Sequence, residues 1–271
     1  MSQSPDSFLS WIDESDLAAV ASSTFWNDEE KEKEKPYYVT GRDDAGKLWT
    51  YLRETTSYYE QFEYAVSMAA RLGVAPHGVG VDLAAGVCWT TALLSRIAEV
   101  DRVYAVDISK HRLTLLAPNV CDALDAQSHK IVRALGSFYD IRLPDRSVDF
   151  CMMSQSFHHA DEPLRLLAEL RRILKPGSPV LLIGEDPIYP STNLLKRLKN
   201  VAKMIVPRRF YIAPPVYKVF PRFEELFPTD VESGDHYYRL RDYRRMFEAG
   251  GFTLHQSRNN GFTVFVAIRN A

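Results

Sequence analysis

The apolar positions of this chain change their period near residue 79. Across residues 47–72 they recur at helical spacing through Trp49, Tyr51, Tyr58, Tyr59, Phe62, Tyr64 and Met68, which predicts helix with an aromatic face for packing or for a pocket mouth. The first 75 residues read as helical, broken by the mixed charge run 28–35, which is expected to be a solvated helix end or loop. Beyond residue 79, short apolar runs alternate with helical patterns. Residues 79–83, 103–107, 131–135, 148–154 and 180–184 read as buried strands. Helices are expected over 89–98, from the N-cap Ser109 through Leu116, and over 163–174. Asp161 and Pro163 mark the start of that last helix, and Lys175-Pro176-Gly177 marks its stop.

The rhythm lapses between Pro187 and Asp235. It resumes with a helix over 241–249, a Gly250-Gly251 stop, a strand around 253–256 and a final strand over 262–268. Asn259-Asn260-Gly261 between those strands is hairpin-turn chemistry. The alternation predicts an α/β fold: a doubly wound, mostly parallel, seven-stranded sheet whose last strand enters antiparallel. The expected organisation is a helical cap over 1–75 and a core over 76–186. An inserted basic and aromatic segment follows the fifth strand over 187–238, and 239–271 completes the sheet.

Composition narrows the function classes. The 271 residues are 46% hydrophobic and 25% charged, ordinary globular values that exclude collagen-like and disordered chains. The formal net charge of −2 argues against nucleic acid as a partner. Three cysteines, Cys88, Cys121 and Cys151, without CxxC spacing, point to neither a disulfide framework nor zinc, and no metal is expected. No basic-then-apolar leader is visible, and no apolar run approaches the roughly 18 residues of a spanning helix. A cytoplasmic setting is the expectation.

Sheets of this kind bind ligands at the carboxyl ends of their strands. The first core strand runs into Asp82-Leu-Ala-Ala-Gly-Val-Cys-Trp-Thr90, a loop with one glycine. A dinucleotide's pyrophosphate needs GxGxxG, and a P-loop needs GxxxxGK[ST]. Neither is present, which disfavours a nicotinamide oxidoreductase. A phosphate-free nucleoside joined to an amino acid asks for less: the Gly86 turn, Asp82 near an ammonium, and Asp107 on ribose hydroxyls. Strand-end aspartates also cap turns, which is the competing reading for each taken alone.

The residues from about 79 onward resemble a class I S-adenosylmethionine-dependent methyltransferase of the ubiquinone/menaquinone-biosynthesis-like, type 11 branch. Val81-Asp-Leu-Ala-Ala-Gly86 is similar to that family's first motif, and the segment ending at Asp107 to its second. Leu143-Pro-Asp-Arg-Ser-Val-Asp149 leads into the fourth strand, and Ser156-Phe-His-His-Ala-Asp-Glu-Pro163 and Leu170-Arg-Arg-Ile-Leu-Lys-Pro-Gly177 follow it. The resemblance implies a Rossmann-like methyltransferase fold and S-adenosyl-L-methionine as co-substrate. It implies a cofactor site of Asp82, Ala84, Gly86, Asp107, Ile108, Ser137, Phe138 and Ser154. The chain departs from the pattern where Cys88 replaces a glycine, and where Gly136-Ser137-Phe138 replaces an acid after the third strand. Either Ser137 or Asp140 is then left to meet the adenine.

Methyl transfer from a sulfonium is an in-line displacement with a neutral leaving group, and a hydroxyl nucleophile also needs a base. The catalytic candidates are His158, His236 and Glu185, with His159 and Asp186 beside them. Transfer to oxygen of a small-molecule or lipid-like acceptor is expected, with nitrogen or carbon as other acceptor atoms. The rival reading is a non-catalytic binding subunit that keeps the fold. Residues 187–223 hold eight Lys and Arg and no acid, with leucines at helical spacing. Three readings follow: a lid helix, contact with an anionic acceptor, or peripheral contact with anionic lipid through 194–223. The oligomeric state is not legible.

Overall fold

The computed structural model describes residues 8–13, 16, 23–205, 221–230 and 232–271. Eight strands form one sheet: β1 (Phe8–Ser10), β2 (Gly78–Leu83), β3 (Val100–Asp107), β4 (Ile131–Leu135), β5 (Phe150–Ser154), β6 (Pro179–Ile183), β7 (Phe252–Asn259) and β8 (Phe262–Arg269). Their order is β1-β4-β3-β2-β5-β6-β8-β7. Every pairing is parallel except those of β8, which runs antiparallel to both β6 and β7.

The period-two alternation of the strands divides the core. Phe150, Met152, Leu181, Ile183, Val264 and Val266 face one side. There they meet α2 (Tyr58–Arg71), α3 (Trp89–Ser95) and α4 (Ala117–Ala123). Cys151, Met153, Val180, Leu182, Phe265 and Ala267 face the other, against α5 (Pro163–Ile173) and α7 (Leu240–Ala249). Strands apolar on both faces are what a sheet covered by helices on both sides requires. The β7–β8 hairpin closes through Asn260 and Gly261, at φ 43° and 91°, the left-handed pair that an Asn-Gly turn supplies.

The sheet has eight strands where the sequence predicts seven. The extra strand, β1, lies inside the stretch read as helical. It pairs with β4 from Phe8↔Arg133 to Ser10↔Leu135, and Trp11 donates its amide to the Leu135 carbonyl at 2.8 Å. Three residues are too few to show a period. The aromatic helix predicted over 47–72 is divided. Helical turns at Ala45–Thr50 and Tyr51–Thr55 precede α2, and Ser57 between them is left-handed at φ 56°.

The charge run is the short solvated helix expected, with one exception. Within α1 (Glu29–Lys33), Glu32 is only 3% exposed, because it makes a buried ion pair with Arg112. Of the inserted segment, α6 (Pro190–Ile205) is described. Residues 206–220, which include Arg208, Arg209, Phe210, Tyr211 and Tyr217, lie outside the described residues. Among the described residues no helix is long and apolar enough to cross a membrane.

Candidate functional site

The switch in strand order falls between β2 and β5, and its carboxyl edge is where sheets of this kind bind ligands. The β2–α3 loop borders it with three left-handed residues, Ala84, Gly86 and Cys88, at φ 51°, 54° and 64°. Gly86 adopts this without strain, whereas Ala84 and Cys88 each bear a cost on the order of 1–2 kcal/mol. The loop therefore takes glycine-like geometry at three positions while spending one glycine. The Ala85 amide ties it back to the Val106 carbonyl at 3.0 Å.

Two carboxylates stand at adjacent strand tips. Asp82 is fully buried. Its Oδ2 accepts from the Thr90 and Thr91 hydroxyls at 2.7 and 2.5 Å, while Oδ1 has no hydrogen-bond partner. Burial pushes its pKa up to about 6, against the two threonine bonds. Asp107, 6% exposed, accepts from the Gly86 amide through Oδ2 and the Ser109 amide through Oδ1, both at 2.7 Å. Burial raises its pKa too, and the nearby Arg112 opposes that shift. Ser109 also caps the following turn, accepting from the Arg112 amide at 3.3 Å.

The other residues expected at the cofactor site surround this pair along the same edge. The Ile108 carbonyl, next to Asp107, accepts from the Asn27 side chain at 3.3 Å. Ser137 Oγ accepts from the Tyr139 amide at 3.1 Å, and the Phe138 ring stands edge-on to Tyr139, 4.7 Å between centroids. Asp140 is exposed and lies 3.8 Å from Arg142. The buried Ser154 and Ser156 hydroxyls, at and beyond the tip of β5, have no hydrogen-bond partner.

A second polar cluster follows β5 and β6. Glu185 is buried and uses both oxygens. Oε1 accepts from the Ser156 and Phe157 amides at 3.1 and 3.0 Å. Oε2 accepts from the Tyr243 hydroxyl at 2.7 Å and lies 3.0 Å from His158 Nδ1. Burial pushes the Glu185 carboxyl upward, but His158, Tyr243 and the amides outweigh it and hold it below the usual range. Burial likewise opposes the charged form of His158, yet Glu185 prevails and raises its pKa. His158 Nε2 is left 3.9 Å from Asp235 Oδ1. His158, His159 and Asp235 bring one ligand-type atom each within 4.8 Å of one another, a spacing that could hold a metal ion.

His236 does not join this cluster through its ring. Nε2 meets Asp161 at 2.9 Å and Nδ1 meets Thr229 at 3.2 Å. Only its backbone amide reaches over, donating to the His158 carbonyl at 2.8 Å.

Several residues here had no sequence signal. Tyr243 sits in a helix recognised only for its period. Trp26 lies 4.8 Å from the Arg112 guanidinium and packs edge-on to His159 at 5.1 Å, so the N-terminal strap spans both clusters. Tyr58, by contrast, is one of the aromatics read for packing or a pocket mouth; at the start of α2 it stacks on Trp89 and donates to Gln155 at 2.5 Å. Glu32 also had a clue: Arg112, a cation just after a buried strand, needed an acid.

Comparison with known proteins bears on this geometry. Residues 81–182 match the family model described as a methyltransferase domain. Demethylmenaquinone methyltransferases of Bacillus mycoides and Staphylococcus aureus are 22% identical over 181 and 212 residues. They span 66% and 77% of this chain and 72% and 82% of their own length. A SAM-dependent methyltransferase from Aquifex aeolicus superposes with a TM-score of 0.52 at 18% identity, covering 84% of this chain and 97% of that one. Magnesium protoporphyrin IX methyltransferase from Synechocystis, solved with bound SAH, gives 0.59 at 12% identity over 92% and 98%. At such identities the structural likeness establishes the fold.

Proposed function

We propose, on the premise that this chain is a class I S-adenosylmethionine-dependent methyltransferase, that it methylates an oxygen of a small, lipid-like acceptor in a cytoplasmic setting. S-adenosylmethionine brings a methyl group already activated as a sulfonium. The chain's own task is to hold, align and shield the reactants. The residues fit that co-substrate. Asp82 Oδ1 is a buried acceptor that lacks a donor, which an ammonium group supplies. Asp107 is bonded once at each oxygen and keeps lone pairs for two ribose hydroxyls. In this reading Ala84, Gly86 and Ile108 present backbone, Ser154 presents its hydroxyl, and Ser137 and Phe138 flank the adenine. Asp140 is turned to Arg142, which favours Ser137 for the adenine edge. The described residues within 1–75 and 187–238 form the acceptor cap in this reading.

His158 is the base in this reading. Glu185 faces Nδ1, so a neutral His158 donating there keeps its Nε2 lone pair. Glu185, with both oxygens bonded, orients His158 rather than reacting, and His236 positions the loop through its amide. The observation that carries the proposal is the pair of buried carboxylates on neighbouring strand tips, one of them with an oxygen still unpartnered. Relatives named for demethylmenaquinone support an acceptor of quinone type.

The test is the pH profile of kcat/KM with hydroxylated quinone-type acceptors. Activity should rise with pH, because His158 accepts a proton only after losing its own. The midpoint should lie above the ordinary histidine value, since Glu185 favours the charged ring. His158→Gln should lose that limb and fall by about a hundredfold. A flat wild-type profile, or an unaffected variant, would overturn the assignment.

A further inference from the structure

We propose that the outward face of α6 is a docking surface for an anionic lipid bilayer. The helix is amphipathic, yet it is mounted the reverse of an ordinary surface helix. Leu194, Leu195, Leu198 and Val201 share one stripe at helical spacing, and they are 58%, 53%, 58% and 37% exposed. The opposite stripe is polar, and it is the one that meets the protein. Arg197 donates to the Pro221 carbonyl at 2.9 Å and to Asn193 Oδ1 at 3.2 Å. The Lys196 ammonium stands 4.1 Å over the Phe227 ring, and Asn200 is 5% exposed.

A helix surrounded by water turns its apolar stripe inward. Each leucine left outside forgoes the gain of burial, so this stripe is built for a non-aqueous surface. The charge of the segment selects which one. The helix itself carries Lys196, Arg197, Lys199 and Lys203 and no acid. An apolar stripe on such a basic helix is the pattern of one lying in the headgroup region, where anionic lipid attracts Lys and Arg near the surface. A second copy of the chain is the poorer occupant, because a two-fold contact would set the same basic helix against itself.

The mounting also gives the surface a direction. The chain enters α6 from the carboxyl end of β6, where the Tyr189 hydroxyl meets Thr263 at 2.7 Å. Docking would thus tether the carboxyl edge of the sheet close to lipid. Delivery of a lipid-dissolved acceptor to that edge rests on the methyl-transfer reading. The docking surface itself does not.

The experiment is co-sedimentation of the full chain with vesicles of phosphatidylcholine alone and of phosphatidylcholine mixed with phosphatidylglycerol. Calorimetric binding of S-adenosylmethionine is followed as a separate readout. Wild type should sediment with the anionic vesicles and be released as salt is raised. The combined Leu194→Ser, Leu195→Ser and Leu198→Ser variant should bind them at least about tenfold more weakly. Its cofactor affinity and melting temperature should be unchanged, because these side chains already face outward. Wild type remaining in the supernatant would overturn the proposal, as would a variant that still sediments. So would a wild-type dimer, seen by sedimentation velocity, that the same substitutions make monomeric. Vesicle binding without cofactor binding would leave the docking surface standing and remove the methyl-transfer reading.

Discussion

Asp82 and Asp107 hold equivalent places on adjacent strands but meet different surroundings. Asp107 is held by two backbone amides, whereas Asp82 has hydroxyls on one oxygen and nothing on the other. The Asp82 carboxyl, raised to about 6 by burial, is therefore the more easily switched. An ammonium ligand requires its ionised form. Affinity for S-adenosylmethionine should be level above pH 6 and weaken as pH falls below it, because the protonated acid no longer offers a charge. Asp82→Asn should remove this dependence and weaken binding throughout. Calorimetric titration on either side of pH 6 checks both, and a wild-type affinity indifferent to pH would show that Asp82 does not meet the ligand's charge. These two acids were legible in the sequence because each ends a buried apolar run. Tyr243 was not, since a tyrosine on an amphipathic helix reads as packing until Glu185 is found beneath it.

At the scale of elements, the clearest feature is the strap that carries α1. Glu32 and Arg112 are 3% and 9% exposed and join α1 to the turn after β3, with the Tyr37 hydroxyl bonded to both. Removing one charge from a buried pair leaves the other desolvated and uncompensated. Glu32→Gln should lower unfolding stability by about 3 kcal/mol in a denaturant titration. A loss under about 1 kcal/mol, typical of exposed pairs, would mean that water reaches Arg112. The sequence showed the core strands well, because period and length agree from β2 to β6, and the Asn-Gly turn fixed the final hairpin. It showed the strap poorly. A run of alternating charges carries no mark for its one buried member, and β1 is too short to have a period. In the insert the pattern gave an amphipathic helix, but which face it buries depends on Phe227 and Pro221, distant in the chain.

Across the whole molecule, the sheet order brings the β2 loop, the β3 tip and the β5 and β6 loops to one edge. The two halves of that edge differ in chemistry. The β2–β3 half holds buried acids beside a left-handed loop, which suits a nucleoside carrying an amino acid. The β5–β6 half holds His158 on a buried Glu185, which suits removal of a proton. The N-terminal strap touches both through Trp26, so donor and acceptor would meet beneath a common cover and away from water. All of this depends on the donor binding against the β2–α3 loop and the Asp107 carboxylate. The most direct measurement is calorimetric titration of S-adenosylmethionine and S-adenosylhomocysteine into wild type and into Asp107→Ala. Wild type should bind both at a single site, and the variant should bind at least about tenfold more weakly, having lost a buried charged acceptor. A wild type that takes up neither ligand, or a folded Asp107→Ala that binds as wild type does, would contradict the account.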